Sequence, residues 1–104
     1  MRLVFRHSDA ASFIRQFDDN GYGLLFPAGL DLYNRRKYES ATEYLRVCAA
    51  LKHESIEAKY YLAVCYVRRD ANEAARPLLE EIINTDPDGA FTESARKFLS
   101  DISE

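Results

Sequence analysis

Two stretches of this chain repeat one pattern of small and apolar residues at an offset of 34 positions. The offset pairs Gly29 with Ala63, and Ala41 with Ala75. Larger apolar residues follow the same rule: Leu32 and Tyr66, Leu45 and Leu79, Cys48 and Ile82. Small residues at equivalent positions indicate places where two helices approach closely. Because one unit of this length cannot bury its apolar residues alone, the repeat predicts a stack of similar units that share a core.

Each unit has the pattern of two helices joined by a short polar turn. In the second unit, residues 56–67 carry apolar residues three and four positions apart, and residues 73–83 do the same. The polar segment 69–72 separates these two patterns. The unit is therefore predicted to be a helical hairpin.

Pro27 lies inside the first helical pattern. Proline lacks an N–H and is comfortable only in the first turn of a helix. The residue before a proline also avoids the helical region. We therefore expect this helix to begin late, near Phe26, with a kinked helix as the alternative.

A further helical pattern flanks the repeated region on each side. Residues 8–20 carry an apolar stripe (Ala10, Phe13, Ile14, Phe17) that stops at the polar segment 18–21. This helix is expected to cover the open end of the stack or to fold across its groove. Residues 90–103 place apolar residues on one face and charged residues on the other, as a terminal helix requires for solubility. Residues 1–7 are consistent with a short strand, an ordered arm or a frayed end.

The repeated pattern resembles the tetratricopeptide repeat, which has the same period and combines small residues, an aromatic residue and a closing proline. The matching residues are 28–32, Tyr38, Ala41 and Leu45 in the first unit, and 62–66, Ala75, Leu79 and Pro87 in the second. The chain departs from the family at Leu25 and Lys59, where tryptophan is usual, and at His53, where the closing proline is expected.

This resemblance implies an all-α fold, with about six helices in antiparallel pairs stacked as a right-handed superhelix. It predicts a single domain over residues 1–104. The predicted parts are an N-terminal helix over 8–20, repeats over 22–55 and 56–89, and a C-terminal capping helix over 90–103.

Composition excludes several functional classes. A net charge of −3 argues against a general nucleic-acid binder, which needs a basic surface. No apolar run approaches the roughly 18 residues of a membrane span. Residues 1–7 are too short and too interrupted for a signal peptide. We therefore expect a cytoplasmic protein that contacts neither nucleic acid nor membrane.

Residues capable of catalysis or metal binding are few and scattered. His7 and His53 have no second ligand at metal-binding spacing. Cys48 and Cys65 fall on apolar helix faces, which favours buried thiols over a disulfide or a metal pair. Nothing assembles a nucleophile, a base and an oxyanion site. The sequence thus predicts a protein that is not an enzyme and has no catalytic residue, metal or cofactor.

The resemblance also implies a binding surface, because the first helix of each family repeat lines a concave groove that binds peptides or helices of other proteins. The groove-facing residues carried onto this chain are Phe26, Leu30, Tyr33, Asn34, Tyr60, Val64, Val67 and Arg68. Family members that clamp the C-terminal carboxylate of a chaperone have lysine and asparagine where this chain has Phe26 and Leu30. We therefore expect no binding of such tails.

An apolar groove has two interpretations. It is open to a protein or peptide partner, or it is filled by Phe13 and Phe17 or by residues 1–7. The open groove predicts a non-catalytic adaptor, co-chaperone or assembly factor. The alternative function is a structural unit that pairs with its own copy through the groove as a homo-dimer.

Two basic clusters occupy the turns of the successive units: Arg35, Arg36 and Lys37 in the first, and Arg68 and Arg69 in the second. They represent either solvated turns or a positive ridge suited to an acidic partner.

Overall fold

The computed structural model describes residues 19–52 and 55–103. The described residues form five α-helices and no strand: α1 Asp19–Asn34, α2 Tyr38–Leu51, α3 Ile56–Arg68, α4 Asn72–Thr85 and α5 Thr92–Ile102. The predicted all-α, helix-pair architecture is thereby confirmed. The predicted N-terminal helix and the three alternatives for residues 1–7 lie outside the described residues, except that residues 19 and 20 belong to α1.

Each helix packs on the next one in the chain, so that consecutive helices form antiparallel pairs. In addition, α1 contacts α3, and α3 contacts α5. The helices α1, α3 and α5 therefore lie side by side in one layer, and α2 and α4 form a second layer against it. Capping contributes to the start of α3, where the Ser55 hydroxyl accepts a hydrogen bond from Ala58 N at 3.2 Å. The same hydroxyl lies 2.8 Å from the Tyr22 hydroxyl of α1.

The turns of the two hairpins are equivalent down to single hydrogen bonds. Arg36 and Asp70 both adopt a left-handed backbone, with φ of 64° and 61°. The bonds that close the turns are also 34 positions apart: Lys37 N to Leu32 O (2.9 Å) and Ala71 N to Tyr66 O (2.7 Å). The division of the chain into repeats over 22–55 and 56–89 stays a prediction, and this equivalence supports it.

The core is built from the residues that define the repeat. Leu45, Leu79 and Ile82 are completely buried, as are the small residues Ala41, Ala63 and Ala75. A Cβ atom added at Gly29 would lie 3.2 Å from Leu45 Cδ2 and 3.2 Å from Tyr44 Cβ. The close helix contact that the sequence indicated at this position is therefore present between α1 and α2.

The predicted late start of the first helix is wrong. It begins by Asp19, continues through the polar segment that was expected to end a preceding helix, and contains Pro27. Both Pro27 and Gly23 are exposed, so the Gly23 carbonyl that loses its helical N–H partner faces water. Pro77 is accommodated inside α4 on an exposed face in the same way.

Candidate binding face

A row of aromatic side chains crosses the layer formed by α1, α3 and α5. We call it the aromatic row, and its members are Tyr22, Phe26, Tyr33, Tyr60, Tyr61, Phe91 and Phe98. All of them are half-buried, which means that each ring packs against neighbours and still keeps accessible surface. The face of the layer that carries this row is the candidate binding face.

On the α1 side, the row is joined to α3 through Tyr61. Its ring centroid lies 5.0 Å from that of Tyr33 at an interplanar angle of 70°, an edge-to-face arrangement. The Phe26 ring is 6.4 Å from Tyr61, and it stacks on Tyr22 with centroids 5.3 Å apart. Because Tyr22 and Phe26 are four residues apart, both point to the same side of α1.

On the α5 side, the row is joined to α3 through Tyr60. Its ring stacks on Phe91 with centroids 4.8 Å apart, and the Phe98 ring is 6.4 Å away. The Arg68 guanidinium lies over the Phe98 ring, 5.9 Å from its centroid. The aromatic contacts thus continue across all three helices of the layer.

The structure places the eight predicted groove residues at different depths. Five of them are half-buried: Phe26, Leu30, Tyr33, Tyr60 and Val67. Asn34 and Arg68 are exposed. Val64 is only 1% exposed and offers almost no surface to a partner. A role of the eight residues in partner binding stays a prediction.

Sequence reasoning missed four members of the aromatic row: Tyr22, Tyr61, Phe91 and Phe98. Tyr61 lies between Phe26 and Tyr33 on one side and Phe91 on the other. Phe91 and Phe98 lie in residues 90–103, which the sequence predicted only as a capping helix with one apolar face. The sequence does contain a signal for Tyr61, namely the two adjacent tyrosines at 60 and 61. Neighbouring helical residues point in different directions, so the two rings can contact α5 and α1 at once.

A pocket of about 310 Å³ lies at the α5 end of the face. Its lining consists of Tyr60 from α3 and of Ser94, Lys97, Phe98 and Asp101 from α5. The pocket therefore combines two aromatic walls with a polar rim of mixed charge.

Burial raises the pKa of Tyr33, and the neighbouring phenols of Tyr60, Tyr38 and Tyr61 add to the effect. Burial also raises the pKa of Tyr61, with a further contribution from the Glu57 carboxylate. These hydroxyls therefore stay protonated near neutral pH and can act as hydrogen-bond donors.

The basic residues of the two turns are all exposed. Arg35 Nε lies 3.1 Å from Asp31 Oδ2, and Arg69 Nη2 lies 4.0 Å from Glu39 Oε2. The second of these contacts joins the α3–α4 turn to the start of α2, so both turns lie at the same end of the helix layers.

The two cysteines are free and buried. Burial raises the pKa of the Cys48 thiol to about 12 and that of Cys65 to about 11. Both thiols are therefore protonated near neutral pH and are poor nucleophiles. Among the described residues, no group of three or more His, Cys, Asp or Glu side chains is placed to hold a metal ion. No helix in the same part of the chain has the length and apolar character needed to cross a membrane.

Comparison with models of known protein families matches residues 32–102 to the family described as Tetratricopeptide repeat. The matched region runs from the end of α1 to the end of α5 and includes more than half of the chain. Comparisons with curated proteins and with solved structures find no match.

Proposed function

The chain belongs to the tetratricopeptide repeat family, whose repeats mediate interactions between proteins, and we propose that its candidate binding face holds a peptide segment or helix of a partner protein. In this proposal the protein is a non-catalytic adaptor, co-chaperone or assembly factor. The partner contacts the accessible surface of Phe26, Tyr33, Tyr60 and Val67, together with the pocket.

The observation that carries the proposal is the aromatic row. Six half-buried rings from three helices and the ring of Phe91, the residue before α5, lie on one face, and each is already oriented by contacts with its neighbours. Rings that are held in place lose little conformational entropy when a partner covers them. Tyrosine and arginine are also enriched among the residues that dominate binding energy at protein interfaces.

The proposal is tested by panning a random peptide library displayed on phage against the immobilised protein. Retained peptides are synthesised with a fluorophore, and their binding is measured by fluorescence anisotropy. We expect the Tyr60→Ala variant to bind them about tenfold more weakly, because removing an interface anchor typically costs more than about 1 kcal/mol.

Leu24→Ala is the matched control. Leu24 is the exposed large apolar residue of α1, with 56% exposure, and it lies on the side of the helix away from Phe26. Its removal should leave peptide binding unchanged. Circular dichroism establishes that both variants are folded.

Two results would contradict the proposal. Retention of no peptide above a bare surface would mean that the face is covered by the chain's own segment or is not a binding surface. A wild-type dimer in sedimentation velocity that Tyr60→Ala dissociates would assign the face to self-association instead.

A further inference from the structure

One side of α1 is apolar and accessible. Leu24 is 56% exposed, Pro27 is exposed and Ala28 is half-buried. These residues are three and four positions apart and share one side of the helix, which we call the outer face. The outer face is separate from the candidate binding face, because Phe26 lies on the opposite side of α1.

The second hairpin shows what packs on the equivalent side of its own first helix. At the offset of 34 positions, Leu24 and Ala28 correspond to Ala58 and Leu62 of α3. Ala58 is completely buried and Leu62 is 4% exposed, and each shares an apolar cluster with residues of α2. Thus α3 buries this side against the helix that precedes it in the chain. The outer face of α1 is therefore suited to a helix with the apolar pattern of α2.

Residues 8–17, which lie outside the described residues, carry this pattern in their sequence. Four residues of α2 belong to the apolar cluster that contains Ala58: Tyr44, Val47, Cys48 and Leu51. The residues 34 positions earlier are also apolar: Ala10, Phe13, Ile14 and Phe17. Directly before α1, the chain therefore contains a sequence that fits the outer face.

A pair of opposite charges occurs where the equivalence loses its apolar character. Ala49 of α2 and Cys65 of α3 belong to one apolar cluster. The residues 34 positions earlier are Arg15 and Asp31. A segment that docks on α1 as α2 docks on α3 would bring Arg15 toward Asp31, whose exposed carboxylate also pairs with Arg35. Attraction between these opposite charges favours the docking.

The connection to α1 is too short for this docking to occur within one chain. Positions 52–55 separate α2 from α3 and reverse the direction of the chain. The equivalent positions are 18–21, and α1 already includes 19–21. A connection between antiparallel helices takes about two to five residues. The single remaining position, 18, cannot turn residues 8–17 back onto their own α1.

We propose that residues 8–17 form a helix that docks on the outer face of α1 in a second copy of the chain, and that the exchange is reciprocal. A two-fold dimer then contains two identical contacts. The four exchanged phenylalanine side chains would bury roughly 600–1,000 Å². Ile14 and Leu24 add to this area, which brings it to the roughly 1,000 Å² that a specific interface needs. The inference does not depend on the proposed function, because the candidate binding face stays accessible.

The test is sedimentation velocity of the full chain over a series of concentrations. Wild type should form a dimer. Ile14→Asp in the segment and Leu24→Asp on the outer face should each weaken the dimer at least about tenfold, because each places a carboxylate in an apolar contact. Ser12→Asp is the matched control in the segment, since the equivalent residue Arg46 is exposed. It adds the same charge and should associate like wild type.

A mixture of the two variants gives a gain of association that misfolding cannot imitate. The Ile14→Asp copy keeps an intact outer face, and the Leu24→Asp copy keeps an intact segment. The mixed pair therefore has one unaltered contact and should form more tightly than either variant forms its own dimer. A fluorophore on one of the variants detects this pair.

A longer connection tests why the segment is exchanged. Insertion of Gly-Ser-Gly-Ser between Asp18 and Asp19 gives the chain room to reverse and should convert the dimer to a monomer. The two hairpins bury their core without the exchanged segment, so the substituted variants should melt like wild type in dilute solution. Circular dichroism measures the melting.

Three results would overturn the exchange. The first is a wild-type chain that stays a monomer at every concentration. The second is a dimer that Tyr60→Ala dissociates and Leu24→Asp does not, which would place the interface on the candidate binding face. The third is a dimer that persists after the insertion, which would show that the short connection does not cause the pairing. Peptide panning tests the proposed function separately from all three.

Discussion

The two helical hairpins, α1–α2 and α3–α4, have the same backbone and different interiors. Their turns share the left-handed residue and the closing hydrogen bonds at an offset of 34 positions. One equivalent pair of positions differs sharply. In the first hairpin Leu25 and Val47 belong to one apolar cluster. In the second, Lys59 and Glu81 occupy these positions and form an ion pair of 2.5 Å.

This difference shows which residues define the hairpin and which are free to vary. Both hairpins keep small residues at the helix crossing and the same turn geometry. Larger residues at the crossing, or a different turn, would move the two helices apart. The position of Leu25 and Lys59 accepts either an apolar side chain or a charged one, provided that the opposite helix supplies a matching partner.

Truncating a side chain of the shared core is expected to cause the largest loss of stability. Leu45 and Leu79 are equivalent and completely buried, so Leu45→Ala and Leu79→Ala should each lower the free energy of unfolding by about 2–5 kcal/mol. Urea denaturation followed by circular dichroism measures both. Leu24→Ala, at an exposed position, should stay within about 0.5 kcal/mol of wild type. A small loss at only one of the two leucines would show that the hairpins do not contribute equally to the core.

The ion pair of the second hairpin gives the next largest effect. Glu81→Ala leaves the Lys59 ammonium buried without its partner, and we expect a loss of about 2–4 kcal/mol. Lys59→Met should be nearly neutral, because an apolar side chain of similar length fills the same space and Glu81 is already half exposed. Equilibrium urea denaturation compares the two variants.

The adjacent and exposed Glu80 serves as the control for Glu81. Glu80→Ala should change stability by less than about 0.5 kcal/mol. If Lys59→Met lowers the free energy of unfolding as much as Glu81→Ala does, the ion pair itself stabilises the hairpin. Its attraction would then exceed the cost of burying the Lys59 ammonium.

These positions also show which features of the fold can be predicted from the sequence. The repeat offset and the small residues at 29, 41, 63 and 75 predict the hairpins and their crossings, because helical period and steric fit are local properties. Lys59 was recognised as a departure from the family pattern. Nothing in the sequence identifies Glu81 as its partner, since sequence spacing does not show which side chains of two helices meet.

The binding face was predictable only in outline. The first helix of each unit was expected to line it, and Phe26, Tyr33 and Tyr60 do lie in the aromatic row. The contributions of Phe91 and Phe98 depend on where α5 docks, and that is a tertiary contact between distant segments. Likewise, the burial of Val64 is set by its surroundings and not by helical period.

Each hairpin contains one buried thiol, so the stability of the two hairpins can be compared at high pH. Burial raises the pKa of Cys48 in the first hairpin to about 12 and that of Cys65 in the second to about 11, from an ordinary 9.0. Below pH 9 the two thiols make their full contribution to the free energy of unfolding. At higher pH this contribution is lost, because only the unfolded chain releases these protons. Between pH 9 and 10 we expect a loss of about 1 kcal/mol for each thiol.

Denaturation by urea at several pH values measures this loss, and Cys48→Ala should remove about half of it. The Cys65 contribution should end near pH 11, whereas the Cys48 contribution continues toward pH 12. A stability profile that is flat above pH 9 would show that the thiols are accessible to solvent in the folded protein.

The smallest expected effect separates the two turns. Arg36 and Asp70 occupy the same left-handed position, where glycine avoids the steric cost of a Cβ atom. Arg36→Gly should stabilise the fold by about 0.5–1 kcal/mol, and Asp70→Gly should gain less because aspartate tolerates this conformation better than arginine. Thermal melts resolve the difference, since about 1 kcal/mol shifts the Tm of a domain of this size by roughly 4–8 °C. Arg35→Gly is the control: its φ is not positive and it pairs with Asp31, so its replacement should give no gain. Equal gains at 36 and 70 would mean that the Asp70 side chain contributes nothing to its turn, and the two hairpins would then differ only in their interiors.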